Sequence, residues 1–115
     1  MRRAGGRLPR VEESTYYGTP ALKVDGEMLA CIASHSSAEP GTLVVRIPIA
    51  DRDALIAEAP DTYYLTDHYV GYASVLVRLS RIREDALRDL LAIAWKFVTS
   101  MRAKKRTRPR ASRYS

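Results

Sequence analysis

The sequence predicts an α+β fold of two layers, an antiparallel sheet of about five strands with a short helix and a long C-terminal helix on one face. Three observations predict it. Apolar stretches of strand length alternate with turn residues between positions 20 and 79, and one short helix-like segment interrupts them. After position 84 the apolar spacing changes to threes and fours and holds to position 101. A chain of 115 residues is the size of one domain, so these elements are expected to share one core.

Each element has its own justification. Residues 20–24 and 28–33 flank Asp25-Gly26, a pair that favours a two-residue hairpin turn. Serines, Pro40 and Gly41 make 34–41 a loop. Leu43, Val45, Ile47 and Ile49 alternate along a third strand over 42–49, where Pro48 is tolerable only at an edge or strand end. Asp51 is placed to cap a helix over 52–59, with Asp53 in its first turn and Pro60 ending it. Residues 62–65 and 72–79 supply the fourth and fifth strands. Leu87, Leu90, Leu91, Ala94, Trp95 and Val98 form the stripe of a helix over 84–101. Ile93, Phe97 and Met101 widen that stripe, which serves either further burial or a homodimer through the C-terminal helix.

The net charge of +6 suggests a polyanion partner, but its distribution matters more than its sum. Arg2, Arg3, Arg7 and Arg10 lie in residues 1–10, and seven basic residues lie in 102–115: Arg102, Lys104, Lys105, Arg106, Arg108, Arg110 and Arg113. Eleven of the nineteen cations therefore lie at the ends, leaving eight against all thirteen acids in residues 11–101, a balance of −5. The expected organisation is a poorly ordered basic segment over 1–10, a folded domain over 11–101 and a disordered basic tail over 102–115, where like charges repel and Pro109 interrupts a helix. The one cysteine, Cys31, excludes an intrachain disulfide and a zinc cluster of several thiolates. No apolar run reaches the roughly 18 residues of a membrane span, and the first residues do not read as a secretory signal. A cytoplasmic location, with no membrane partner, is the resulting expectation.

Three blocks are similar to a known family. Leu8-Pro9-Arg10-Val11-Glu12-Glu13, Tyr17-Gly18-Thr19-Pro20-Ala21 and Lys23-Val24 resemble the opening signature of the MmcQ/YjbR proteins. Tyr64-Leu65-Thr66-Asp67-His68-Tyr69-Val70-Gly71-Tyr72, Val75-Leu76-Val77-Arg78-Leu79, and Leu87-Arg88-Asp89-Leu90-Leu91 with Ala94-Trp95 resemble its second half. The resemblance implies a CyaY-like α+β fold, a bacterial source and the label DNA-binding. It supplies no catalytic residues. Two departures stand out: seven residues precede Leu8 where family members have a helix, and Ala73-Ser74 stands where they tend to carry Pro-Trp.

The candidate chemistry is one of binding. Lys23, Arg46 and Arg78 each fall inside an expected strand and alternate with its apolar row, so a sheet covered on one side only would place them with Tyr72 on the open face. Cations interleaved with an aromatic ring suit nucleic acid, the cations meeting phosphates and the ring stacking on bases; equally, outward strand positions simply need polar residues. Tail residues Arg102, Lys104, Lys105, Arg106 and Arg108 would add attraction without sequence preference, or serve only solubility. Residues 63–72 gather four of the seven tyrosines and His68. With Tyr17, the residues His68, Tyr69 and Tyr72 make a candidate surface for a protein or small ligand, or else a corner that buries rings and wets hydroxyls. Asp67 beside His68 is not a triad, since no serine or cysteine is placed as a nucleophile. Cys31, His35 and His68 match no familiar metal spacing, so no metal and no cofactor are expected. The expectation is a small non-enzymatic protein that contacts nucleic acid through its basic tails and sheet face, with a protein- or ligand-binding module as the alternative.

Overall fold

The structure, a computed structural model, describes residues 8–112, with side chains described to residue 101. Six strands form one antiparallel sheet: β1 (Val11–Tyr16), β2 (Thr19–Val24), β3 (Glu27–Ile32), β4 (Thr42–Arg46), β5 (Tyr63–Tyr64) and β6 (Ser74–Arg78). Their order across the sheet is β1-β2-β3-β4-β6-β5. Helix α1 (Ile49–Glu58) lies between β4 and β5 in the chain, and α2 (Glu84–Ser112) follows β6. The α+β reading holds, with one strand more than expected.

The additional strand is β1, whose residues Glu12, Glu13, Ser14 and Thr15 show no apolar alternation. An edge strand has only one neighbour and little to bury, and charges on it discourage pairing with other chains. Its connection to β2 is a two-residue turn in which Tyr17 and Gly18 have φ of 52° and 79°. Asp25 and Gly26 repeat that geometry between β2 and β3, with φ of 51° and 83°. Both central residues of such a turn need positive φ, which matches the strand twist and favours Asn, Asp and Gly. Asp25-Gly26 announces itself by type; Tyr17-Gly18 does not.

Element ends differ where proline acts. β4 stops at Arg46, and Ile49 enters α1 rather than prolonging the strand. Pro48, not Asp51, occupies the position before the helix, with φ −59° and ψ 147° and no side-chain cap. Proline's fixed φ suits that entry, and its missing N–H is not needed there. Asp51 instead lies in the first turn, where a negative charge favours the helix dipole. β5 has two residues and β6 begins only at Ser74. The backbone of α2 continues to Ser112, eleven residues past the expected end and through Pro109. Ala, Lys and Arg are good helix formers there, and cations suit a helix C-terminus.

The core lies between the sheet and the two helices. Leu22 and Val24, Leu43 and Val45, and Val75 and Val77 alternate towards the helices, where Leu87, Leu90, Leu91, Ala94 and Val98 meet them. Full burial of each of these leucines and valines contributes about 1.5–3 kcal/mol. Leu29 and Ala30 are both fully buried in this cluster because the β2–β3 register shifts beside Leu22, turning two consecutive residues inward. Of the residues that widen the stripe, Phe97 packs against the same core, Ile93 is 38% exposed and Met101 is half-buried. Leu8 also packs there, and the Trp95 indole N–H donates to the Pro9 carbonyl at 2.8 Å. Residues 8–10 thus belong to the folded unit and not to the basic segment expected over 1–10.

The second face of the sheet is not open. Ala21, Cys31, Val44 and Leu76 form a further buried cluster on it, partly covered by Ala38 and Tyr69 from the two loops 33–41 and 65–73. The expectation of one fully exposed face is corrected here, because small and apolar residues at these outward positions require cover.

A candidate ligand-binding groove

Beside that covered patch the two loops and the β1–β2 hairpin leave a groove of about 860 Å³. Its floor is the outer face of the sheet, with Cys31, Val44, Arg46 and Ser74. Tyr16 and Tyr17 line it from the hairpin, and His35, His68, Tyr69 and Tyr72 line it from the loops. The structure therefore brings together Tyr17, His68, Tyr69, Tyr72 and Arg46, which lie on separate elements.

Tyr17 is 83% exposed and meets Tyr16 edge-on, with ring centroids 4.7 Å apart. Its left-handed backbone costs a side-chain-bearing residue about 1 kcal/mol. On the other wall, His35 and His68 stack with centroids 3.6 Å apart and planes within 10°. The Tyr69 ring stands nearly perpendicular to both, at 6.2 and 4.8 Å. His35 is held by its own loop: the Ser37 backbone N–H donates to Nδ1 at 3.0 Å, and Ser37 Oγ lies 2.8 Å from that nitrogen and 2.9 Å from Thr66 Oγ1. The two loops are thus joined by a ring stack and a hydroxyl link. Burial pushes the Tyr69 hydroxyl up from its ordinary value, against a backbone hydrogen bond from His35. Burial likewise raises the Cys31 thiol, which keeps it protonated and a poor nucleophile.

The four basic side chains of this region have different fates. Arg52, absent from the expected site, is 6% exposed on α1. Its Nη1 donates to the carbonyls of Val70 and Tyr72 at 3.1 and 3.0 Å, and its Nε pairs with Asp53 at 3.0 Å. It fixes the loop that carries His68, Tyr69 and Tyr72. One signal could have found it: Arg52 stands in helical register with Leu55, Ile56 and Ala59, on the face that turns inward. Arg78 is equally committed. It grips both oxygens of Glu39 at 3.1 and 2.8 Å, donates to the carbonyls of Pro60 and Asp61, and lies 4.2 Å over the Tyr64 ring. That guanidinium holds the Glu39 carboxyl below its usual range. Arg78 is therefore a strut between loops, at the far end of β6 from the groove.

Lys23 is half-buried on the outer face and does not line the groove; its β1 partner in register is Glu12. Of the three arginines Arg46 is held most loosely, its Nη1 3.3 Å from the Met28 carbonyl and 3.8 Å from Glu27. Of Lys23, Arg46, Arg78 and Tyr72, expected to share a nucleic-acid face, the groove brings together Arg46 and Tyr72, while Arg78 is engaged by Glu39 and the Pro60 and Asp61 carbonyls. The side chains of Arg102, Lys104, Lys105, Arg106 and Arg108 lie outside the described residues. A second hollow of about 540 Å³ beside α1 and β5 has Asp53 as its one charged lining residue. Among the described residues no group of three or more His, Cys, Asp or Glu side chains could hold a metal ion. No described helix is long and apolar enough to cross a membrane.

Uncharacterised proteins of Mycobacterium tuberculosis and Mycobacterium bovis are 37% identical to this chain over 79 residues, covering 66% of it and 59% of their own length. The chain thus spans less than two thirds of these relatives. In fold it is similar to a Deinococcus radiodurans protein with a DUF419 domain, whose crystal structure superposes with a TM-score of 0.67 at 21% identity, over 85% of this chain and 75% of that one. The YjbR family model matches residues 6–97, which takes in the whole sheet, α1 and most of the core-facing part of α2, and the chain belongs to that family.

Proposed function

We propose that this protein is a non-enzymatic binding module whose ligand site is the groove between the β1–β2 hairpin and the loops 33–41 and 65–73. The observation that carries the reading is the convergence of Tyr16, Tyr17, His35, His68, Tyr69 and Tyr72 on one concavity. A mostly apolar hollow with a few convergent polar groups is the usual form of a small-molecule site. The Ser37 hydroxyl beside His35 Nδ1 does not line the groove, and the Cys31 thiol that does is buried, its raised pKa favouring the protonated form. The reading carries with it a cytoplasmic location, which suits a lone buried thiol.

The test is a ligand-observed NMR screen of ring-containing fragments against the full chain and its Tyr72→Ala variant. Hits that weaken in the variant support the groove; hits of unchanged affinity contradict it.

A second reading has its own observation, the seven basic residues among positions 102–115. Under it the C-terminal end attracts nucleic acid while the acidic folded part does not. Each cation that neutralises a phosphate adds about −0.9 to the slope of log affinity against log salt. Anisotropy of a labelled duplex and a labelled single strand is expected to give a slope of several units with the full chain. With the seven cations replaced by Gln, binding is expected to vanish. Equal binding by both proteins would contradict this reading.

A further inference from the structure

We propose that the groove takes a flat aromatic or heteroaromatic ring bearing one anionic group, a carboxylate or a phosphate, with the ring between Tyr17 and Tyr72 and the anion on Arg46. This inference rests on the groove being a binding site and names its ligand class.

The anion follows from how the arginines are held. Arg52 and Arg78 each make hydrogen bonds of 3.1 Å or shorter to carbonyls and carboxylates, so neither has a guanidinium to offer. Arg46 ends β4 at the groove floor, with its side chain 28% exposed. Its grip is weak by comparison, 3.3 Å to a carbonyl and 3.8 Å to the Glu27 carboxylate, itself 36% exposed. A planar guanidinium presents paired donors that match two oxygens of a carboxylate or phosphate, so a ligand anion can replace the long Glu27 contact with two shorter bonds.

The ring follows from Tyr17 and Tyr72. Neither is needed to fill the core: they are 83% and 60% exposed. Tyr17 also occupies a left-handed turn position that Asn or Gly would adopt with less strain, and strain retained at an exposed aromatic residue marks a site where the ring is used. The facing wall is aromatic as well, with His68 6.3 Å from Tyr72. Ser34 and Ser74 add hydroxyls along the groove for the ring's polar edge.

The experiment is an aromatic ¹³C–¹H NMR titration of the full chain with four probes: adenosine, adenosine monophosphate, indole-3-acetate and inorganic phosphate. At least one ring-bearing anion is expected to shift the groove tyrosine and histidine signals with roughly ten-fold higher affinity than adenosine or phosphate alone. The monophosphate and the indole acid distinguish a phosphate from a carboxylate source. Arg46→Gln, checked for an unchanged melting temperature, is expected to erase the advantage of the anion and leave adenosine binding as it was. Tyr17→Gly, which suits the turn, is expected to weaken every ring-bearing probe. Equal affinity for adenosine and both anions, retention of the advantage in Arg46→Gln, or no shift of the groove signals with any probe would each overturn the proposal. Fragment hits that weaken in Tyr72→Ala would then still leave the groove as a site for a ligand of different chemistry.

Discussion

At Tyr17 backbone and side chain make opposite demands. The turn asks for a residue that tolerates φ of 52°, and the chain supplies a large ring that is 83% exposed. Tyr17→Asn is therefore expected to stabilise the protein by about 1 kcal/mol in chemical denaturation while weakening ligand binding. A loss of stability would show that the ring serves the fold. The arginines teach a related lesson. Arg46 and Arg78 look alike in sequence, each a cation at an outward strand position. What separates them is Glu39, thirty-nine positions before Arg78 and on another loop. Because Arg78 lowers the Glu39 carboxyl in the folded state, that pair stabilises the protein above the ordinary carboxylate pKa, and the contribution is lost as pH falls through the lowered value. Glu39→Gln is expected to flatten this acid limb of a stability–pH curve measured by thermal unfolding. An unchanged limb would mean that the exposed pair contributes nothing.

Elements with periodic apolar residues were legible, and those without them were not. The stripe of α2, the Asp25-Gly26 hairpin and the alternation of β4 and β6 follow from local spacing. β1 does not, since Glu12, Glu13, Ser14 and Thr15 reveal a strand only when paired with β2. The loops were legible as loops, but not as walls of one site: His35 and His68 are thirty-three positions apart, and their stack is a product of the sheet that sets both loops on one face. Arg52 is the device that fixes the second wall. Replacing it by Met keeps the aliphatic stem in the core and strips the Val70 and Tyr72 carbonyls of their donor. The expected loss is about 1–3 kcal/mol, with faster hydrogen exchange concentrated in residues 69–74. Faster exchange spread evenly over the sheet would argue instead for a general packing role.

Taken whole, the molecule is a two-layer core with a groove on the sheet face remote from that core, joined to strongly basic ends. The helix-side core sets the global stability. Leu91 is fully buried there, and Leu91→Ala is expected to cost about 2–5 kcal/mol in urea unfolding. The basic excess lies in the terminal segments, while the folded part is acidic, so charge and groove are separable in experiment. The family could be read in the sequence because its blocks fall on the strands, the loop 65–73 and α2. Of the site, Tyr17, His68, Tyr69 and Tyr72 could be read as well, but not the His35 stack or the Arg52 anchor, because these come from segments that meet only in three dimensions. The most direct test of the groove as the binding site is a protein-observed aromatic NMR map of the fragment hits on the full chain. The account predicts shifts concentrated in Tyr16, Tyr17, His35, His68, Tyr69 and Tyr72. Shifts confined to Trp95, Phe97 or the basic C-terminal end, with those six unmoved, would contradict it.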